Sequence, residues 1–206
     1  MVAAKKVAFI TMMVALGNLL SGISTYLGPI APGVNLDLSH ITTFIAAIWG
    51  GPVYGLIVGF FGGVWAGVYF GFIGGTFTWL SLIGLPLGKS LTGLTTGFFF
   101  KVFKIRQRKH ASIITVPTVL MSFIPETLFT VAYFLTFAPF FFVNFSFGMS
   151  LLAVILPKAW AEIIFMSFLM AALVGNKGFN VFVTSYLQQN TMRNKLSVEP
   201  LPARRQ

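Results

Sequence analysis

The chain has 206 residues, 56% of them apolar and only 9% charged, with no cysteine and a formal net charge of +10. This composition lies outside the range of soluble domains, and the lack of cysteine excludes disulfides and thiolate metal sites. Runs of about 20 apolar residues each suffice to cross the hydrocarbon core of a bilayer, so the expected fold is an all-α integral membrane protein with six transmembrane helices in one domain, residues 1–206.

The first span is expected over 7–27, after Lys5 and Lys6. It lacks a small-residue cleavage site and further spans follow, so it reads as a span and not as a cleaved signal. Gly28-Pro29 and Pro32-Gly33 break it, and residues 28–38 form a loop. Asp37-Leu38-Ser39 resembles a helix N-cap for the second span, 39–49. That span is only roughly 16 Å long at the α-helical rise, so it must tilt, extend or be shielded.

Pro52 opens the third span, 52–70, where its missing N–H is harmless. Glycines recur here at 51, 55, 59, 63, 67, 71 and 75. In water each interior glycine costs roughly 0.8–1.0 kcal/mol against alanine. In a bilayer, small residues at this spacing let another helix backbone approach closely. The stripe either packs the protein internally or offers a surface to a partner helix. The fourth span is 78–100, and a basic loop follows it. The fifth, 112–141, contains Pro117, Pro125 and Pro139 and is expected to kink. The sixth is 148–174, and the polar, basic tail 175–206 is expected to fray.

Six spans place both termini on one side. Twelve of the 14 lysines and arginines fall on that side, and the opposite loops carry none. The positive-inside rule then puts both termini in the cytoplasm of a multi-pass protein of the cell membrane. It also accounts for the net charge without nucleic acid.

Within the spans remain Lys89, Lys158, Glu126 and Glu162. Intramembrane ionisable groups are costly and point to function. The four lie near the midplane and sum to zero, which favours a neutral or zwitterionic ligand. They could be two structural ion pairs, a polar cavity for a small molecule, or a proton relay. Trp79, Tyr133, Asn144 and Trp160 could complete such a cavity, with Asn35 in the loop above it as part of a lid. Asp37 reads as a helix cap. His40 and His110 are isolated, so no metal is assigned. No GxSxG, HExxH or P-loop occurs, since Gly84 to Lys89 is one residue short of that spacing. No enzymatic activity and no cofactor are expected.

The run Asn35-Leu-Asp-Leu-Ser39, the short span, then Gly51-Pro-Val-Tyr-Gly55 resembles the substrate-binding (S) components of energy-coupling factor (ECF) vitamin transporters over residues 5–175. The resemblance implies high-affinity capture of a vitamin-like micronutrient from outside. Delivery would use a transmembrane coupling subunit and two cytoplasmic ATPases. It implies a ligand site in the outer half of spans four to six. It also implies coupling through small residues spaced by four in the first helix, matched here by Ala4, Ala8, Thr11 and Ala15. Gly55, Gly59 and Gly63 join them as a second small-residue surface for the partner. The pattern is most similar to riboflavin-specific members, so riboflavin is favoured, with thiamine-related compounds, biotin, folate, pantothenate and other micronutrients open. The sixth span, Ile155-Leu-Pro-Lys-Ala-Trp-Ala-Glu162, departs from that type by lacking its Phe-Asn pair. The alternatives are a stand-alone ion-coupled secondary transporter or channel using Glu126 and Glu162, and a membrane scaffold with structural charges.

Overall fold

The structure, a computed structural model, describes residues 2–27, 29–31, 34–74, 79–141 and 145–188. Helix α1 is Val2–Tyr26. After it comes a small antiparallel hairpin, β1 Pro29–Ala31 and β2 Val34–Asn35, where a plain loop was expected.

Helix α2 is His40–Ile45, prolonged by a π-helical turn over Ala46–Gly50. Gly51 then turns the chain with φ 99°, a conformation that strains any L side chain, and Pro52 takes the first turn of α3. Helix α3 is Pro52–Gly62 and α4 is Val64–Val68, the latter extended by a π-helical turn over Tyr69–Ile73. Asn18 of α1 secures the joint at Gly63. Its side chain donates to the Phe61 carbonyl at 2.9 Å and accepts from the Trp65 N–H at 2.8 Å. The remaining helices are α5 Trp79–Val102, α6 Ala111–Phe141, α7 Phe145–Gly175 and α8 Lys177–Gln188.

Four stretches are long and apolar enough to cross a membrane: Ala4–Tyr26, Pro52–Ile73, Ala111–Phe137 and Gly148–Gly175. Helix α5 is about 36 Å long at the α-helical rise but carries Lys89, Ser90, Thr92 and Thr96, all turned inward and buried. The stretch His40–Gly50 is apolar and short. It is shielded on its flanks: Phe44 and Ala46 are fully buried among Phe9 and Met13 of α1, Phe123 of α6 and Met166 of α7. Meanwhile Leu19, Leu128, Phe165 and Phe168 stand exposed on the outer faces. Apolar exposure on that scale suits a lipid surround.

The glycine stripe forms an internal seam. A Cβ on Gly55 would overlap the Gly93 carbonyl oxygen, and one on Gly93 would overlap that of Gly55. Further along, a Cβ on Gly59 would lie 2.5 Å from the Lys89 carbonyl oxygen, on Gly63 3.1 Å from Pro86 Cα, and on Gly67 3.0 Å from Leu82 Cα. The two helices thus run antiparallel with their backbones nearly touching. This corrects the expectation that Gly55, Gly59 and Gly63 present a face to a partner subunit: α5 already occupies that face. By contrast, Ala4, Ala8, Thr11 and Ala15 are exposed along α1.

The expected fraying tail is corrected too, over 177–188. Phe179, Val183, Tyr186 and Leu187 recur at helical spacing and pack against the core. Trp49, at the end of the π-helical turn, donates its indole N–H to Asn180 Oδ1 at 3.0 Å and meets Phe179 edge-to-face. The Arg106 guanidinium lies 5.6 Å over the Trp49 ring and donates to Thr184 Oγ1 at 2.7 Å. Residues 189–206 lie outside the described residues.

Since neither backbone at the seam can retreat, Gly55→Ala should lower stability by about 2 kcal/mol through overpacking. Ala15→Leu, on the exposed face of α1, should stay within about 0.5 kcal/mol of wild type. Unfolding of the detergent-solubilised protein, followed by tryptophan fluorescence, checks both.

Candidate substrate site

Helices α5, α6 and α7 and the connection before α2 enclose a cavity of ≈ 130 Å³. Its larger wall is apolar, from Phe70, Leu80, Phe129, Phe134, Ile155 and Leu156. Its other wall carries Asp37, His40, Lys89, Glu126, Lys158 and Glu162. A mostly apolar cavity with a few convergent polar groups is the usual form of a small-molecule site.

The charged groups form three linked pairs. Lys89, almost fully buried, reaches Asp37 Oδ2 at 2.5 Å and also donates to Ser39 Oγ. Asp37 Oδ1 accepts from the Ser39 N–H at 3.0 Å and the Ser39 hydroxyl at 2.7 Å. Asp37 therefore organises the turn into α2 and serves as the counter-ion of Lys89. Burial acts to raise the Asp37 carboxyl. The facing Lys89 ammonium, with His40 and Lys158, outweighs burial and holds it well below the usual carboxylate range.

The second pair lies on one face of α7: Lys158 Nζ is 3.0 Å from Glu162 Oε2, at i,i+4. Glu162 Oε1 accepts from the Asp37 backbone N–H at 2.7 Å. The connection that covers the cavity is thereby tied to α5 through Lys89 and to α7 through Glu162. In the third pair, His40 Nε2 meets Glu126 Oε2 at 3.1 Å, and Thr92 Oγ1 donates to the same oxygen at 2.5 Å. Glycines on α5 make room for the α6 side chains. A Cβ on Gly88 would stand 3.3 Å from Glu126 Cγ, and one on Gly84 would stand 2.5 Å from the Tyr133 ring.

Of the residues expected from the sequence, Lys89, Glu126, Tyr133, Lys158 and Glu162 come together on this cavity. Tyr133 donates its hydroxyl to the Leu80 carbonyl at 3.1 Å. Trp79 does not join them. It is 58% exposed on the outer face, edge-to-face with Phe72 at 5.0 Å, because its position in the first turn of α5 points away from α6. Trp160 is half-buried behind the wall, edge-to-face with Phe123 at 5.3 Å. Asn35 pairs with Pro29 in the hairpin, and its side chain lies outside the described residues, as does Asn144. Two site residues escaped sequence reasoning, Asp37 as a counter-ion and His40 as the partner of Glu126. Their signal was numerical: setting aside Glu199 in the tail, three acids remained for two intramembrane lysines. Among the described residues no cluster of three or more His, Asp and Glu side chains could hold a metal ion.

A helical membrane protein that closes a charged cavity under a tied-down connection is built to bind a solute. A model of the family "ECF transporter, substrate-specific component" matches residues 5–174, and the chain belongs to that family. It is therefore a multi-pass membrane protein that serves transport as the substrate-binding subunit and not as an enzyme. Neither the curated proteins nor the solved structures contain a match to the chain.

Removing one partner of a buried pair strands the other. Lys89→Met should therefore cost about 3–5 kcal/mol, and most of that should return in Lys89→Met/Asp37→Asn. A double-mutant cycle on unfolding in detergent measures the difference.

Proposed function

We propose that the chain is the high-affinity capture subunit of an ECF-type importer in the cell membrane, taking a vitamin or related micronutrient from outside. The observation that carries this reading is the cavity: six charged or titratable side chains from five segments, paired among themselves, beside an apolar wall. A ligand buried there exchanges water for preorganised polar groups, the condition for tight capture of a scarce solute.

The topology in this reading is a single membrane domain with six spans. Helices α2 and α5 complete the set formed by the four long apolar stretches, and both termini are cytoplasmic. Two things support it: the basic loop and α8 meet at one end through Arg106 and Thr184, and the connection over the cavity carries no Lys or Arg. The cavity then opens outward, beneath the 34–39 segment.

The partners are a transmembrane coupling subunit and two cytoplasmic ATPases. The exposed line of Ala4, Ala8, Thr11 and Ala15 is the surface we assign to the coupling subunit, since small residues let helices approach closely. Riboflavin remains favoured by the Asn35–Ser39 and Gly51–Gly55 pattern. Its three fused rings, however, would require the ≈ 130 Å³ cavity to widen, whereas an apolar cavity of about 150 Å³ accommodates a single benzene ring.

Native mass spectrometry of the protein purified without added ligand tests the reading. A small organic compound should be released on activation. Lys158→Ala should weaken its retention by roughly 10- to 100-fold, the scale of a lost charge-assisted hydrogen bond. An empty protein that also binds nothing from a panel of vitamins would overturn it.

A further inference from the structure

One end of the molecule gathers cations without acids. Lys101, Lys104, Arg106, Arg108 and Lys109 lie where α5 passes into α6, Lys177 opens α8, and Lys6 stands three residues before Phe9 on α1. Three contacts bring these segments together. Arg106 donates to Thr184 of α8, Ser112 at the start of α6 donates to the Ala171 carbonyl near the end of α7 at 2.7 Å, and the Phe9 and Tyr186 rings lie 6.4 Å apart. The acids among the described residues, Asp37, Glu126 and Glu162, all line the cavity and are engaged there. The Arg106 guanidinium rests on the Trp49 ring, and its buried Nε has no hydrogen-bond partner among the described residues.

Apolar side chains stand among these cations. Asn176 Oδ1 accepts from the Phe179 N–H at 3.0 Å, which turns the chain into α8 as soon as α7 ends. With 12 residues α8 is about 18 Å long, too short to cross a bilayer. Phe179, Val183, Tyr186 and Leu187 pack on the core, whereas Val181 and Phe182 stand off that face, each 67% exposed. Val102 and Phe103 are exposed as well, between Lys101 and Lys104.

We infer that this end binds anionic phospholipid, with the lysines and Arg108 on the phosphate and Val102, Phe103, Val181 and Phe182 in the adjoining acyl layer. The alternation of apolar and cationic side chains matches the depth profile of a leaflet, hydrocarbon directly below phosphate, and a short amphipathic helix lies in that plane. Cations at such a surface are drawn to anionic headgroups. An acidic protein surface or a free phosphate would answer the charge and leave the four apolar side chains uncovered. The chain continues from α8 with Arg193, Lys195, Arg204 and Arg205 against one acid, Glu199, so its remaining sequence adds charge of the same sign. This inference goes beyond the capture reading and makes no use of the cavity or its ligand.

The test places the full-length protein, without any partner subunit, in nanodiscs of phosphatidylcholine and phosphatidylglycerol in equal amounts. The two lipids carry acyl chains of different mass. Native mass spectrometry of the released protein counts the lipids it retains. Phosphatidylglycerol should exceed phosphatidylcholine by at least about fivefold, and the ratio should fall as salt is raised before release. Lys101→Gln/Lys104→Asn/Lys109→Gln/Lys177→Gln should bring the ratio close to parity. Asn is chosen at 104 because that residue has φ 48°, a conformation Asn tolerates. Val181→Ser/Phe182→Ser should reduce the number of lipids retained while the preference for phosphatidylglycerol persists. Equal retention of the two lipids by the wild-type protein overturns the inference without recourse to any variant. A preference unchanged in the quadruple variant overturns it too, as does loss of bound phosphatidylglycerol to millimolar glycerol phosphate, which would assign these cations to a soluble phosphate.

Discussion

Backbone contact between α3 and α5 is the constraint on which the site depends. Where Gly55 meets Gly93 there is no room for even one Cβ, so the two helices pack backbone against backbone. Further along the same seam, Lys89 has no outward route. Its stem runs beside Gly63, whose absent side chain leaves that space, and its ammonium emerges at Asp37 and Ser39. The apolar stem packs on glycine backbone while the charge reaches its partners, the arrangement long cationic side chains favour. A larger residue at Gly63 would crowd the lysine stem that carries the ammonium to Asp37 and Ser39.

The paired charges then do for the connection what the glycines do for the helices. A buried ion pair contributes little net stability over an apolar substitute, because desolvation offsets the attraction. It does impose geometry. Lys89 and Glu162 reach the Asp37 segment from two different helices, meeting its side chain and its backbone respectively, so the cover of the cavity is held from two sides. His40, the first residue of α2, carries the same network down to Glu126 and Thr92.

Much of this was legible in the residues. Apolar runs, the glycine spacing and the ionisable residues inside spans pointed to a membrane helix bundle with a polar interior. The run from Asn35 to Gly55 pointed to the family whose model matches 5–174. The glycine stripe was ambiguous because a small-residue face has the same spacing whether its neighbour lies inside the chain or belongs to another protein. Helix α8 was missed because its apolar residues are diluted by Asn180, Thr184 and Ser185, and its packing rests on Trp49 and Arg106, far away in sequence. Trp79 and Trp160 were drawn into the site by residue type alone. Their directions depend on helix rotation, which a local pattern does not reveal.

Local chemistry by itself determined the membrane character, the helical periods and the inventory of charges, since each of these depends on residues close together in the chain. Which charge answers which was decided only by tertiary structure. Asp37 stands 52 positions before Lys89 and 125 before Glu162, and His40 stands 86 before Glu126. Pairing across such separations is set by the approach of α3 to α5 and of α2 to α6. Those distances arise from packing, in which a missing Cβ at Gly55 or Gly93 counts for as much as any side chain present.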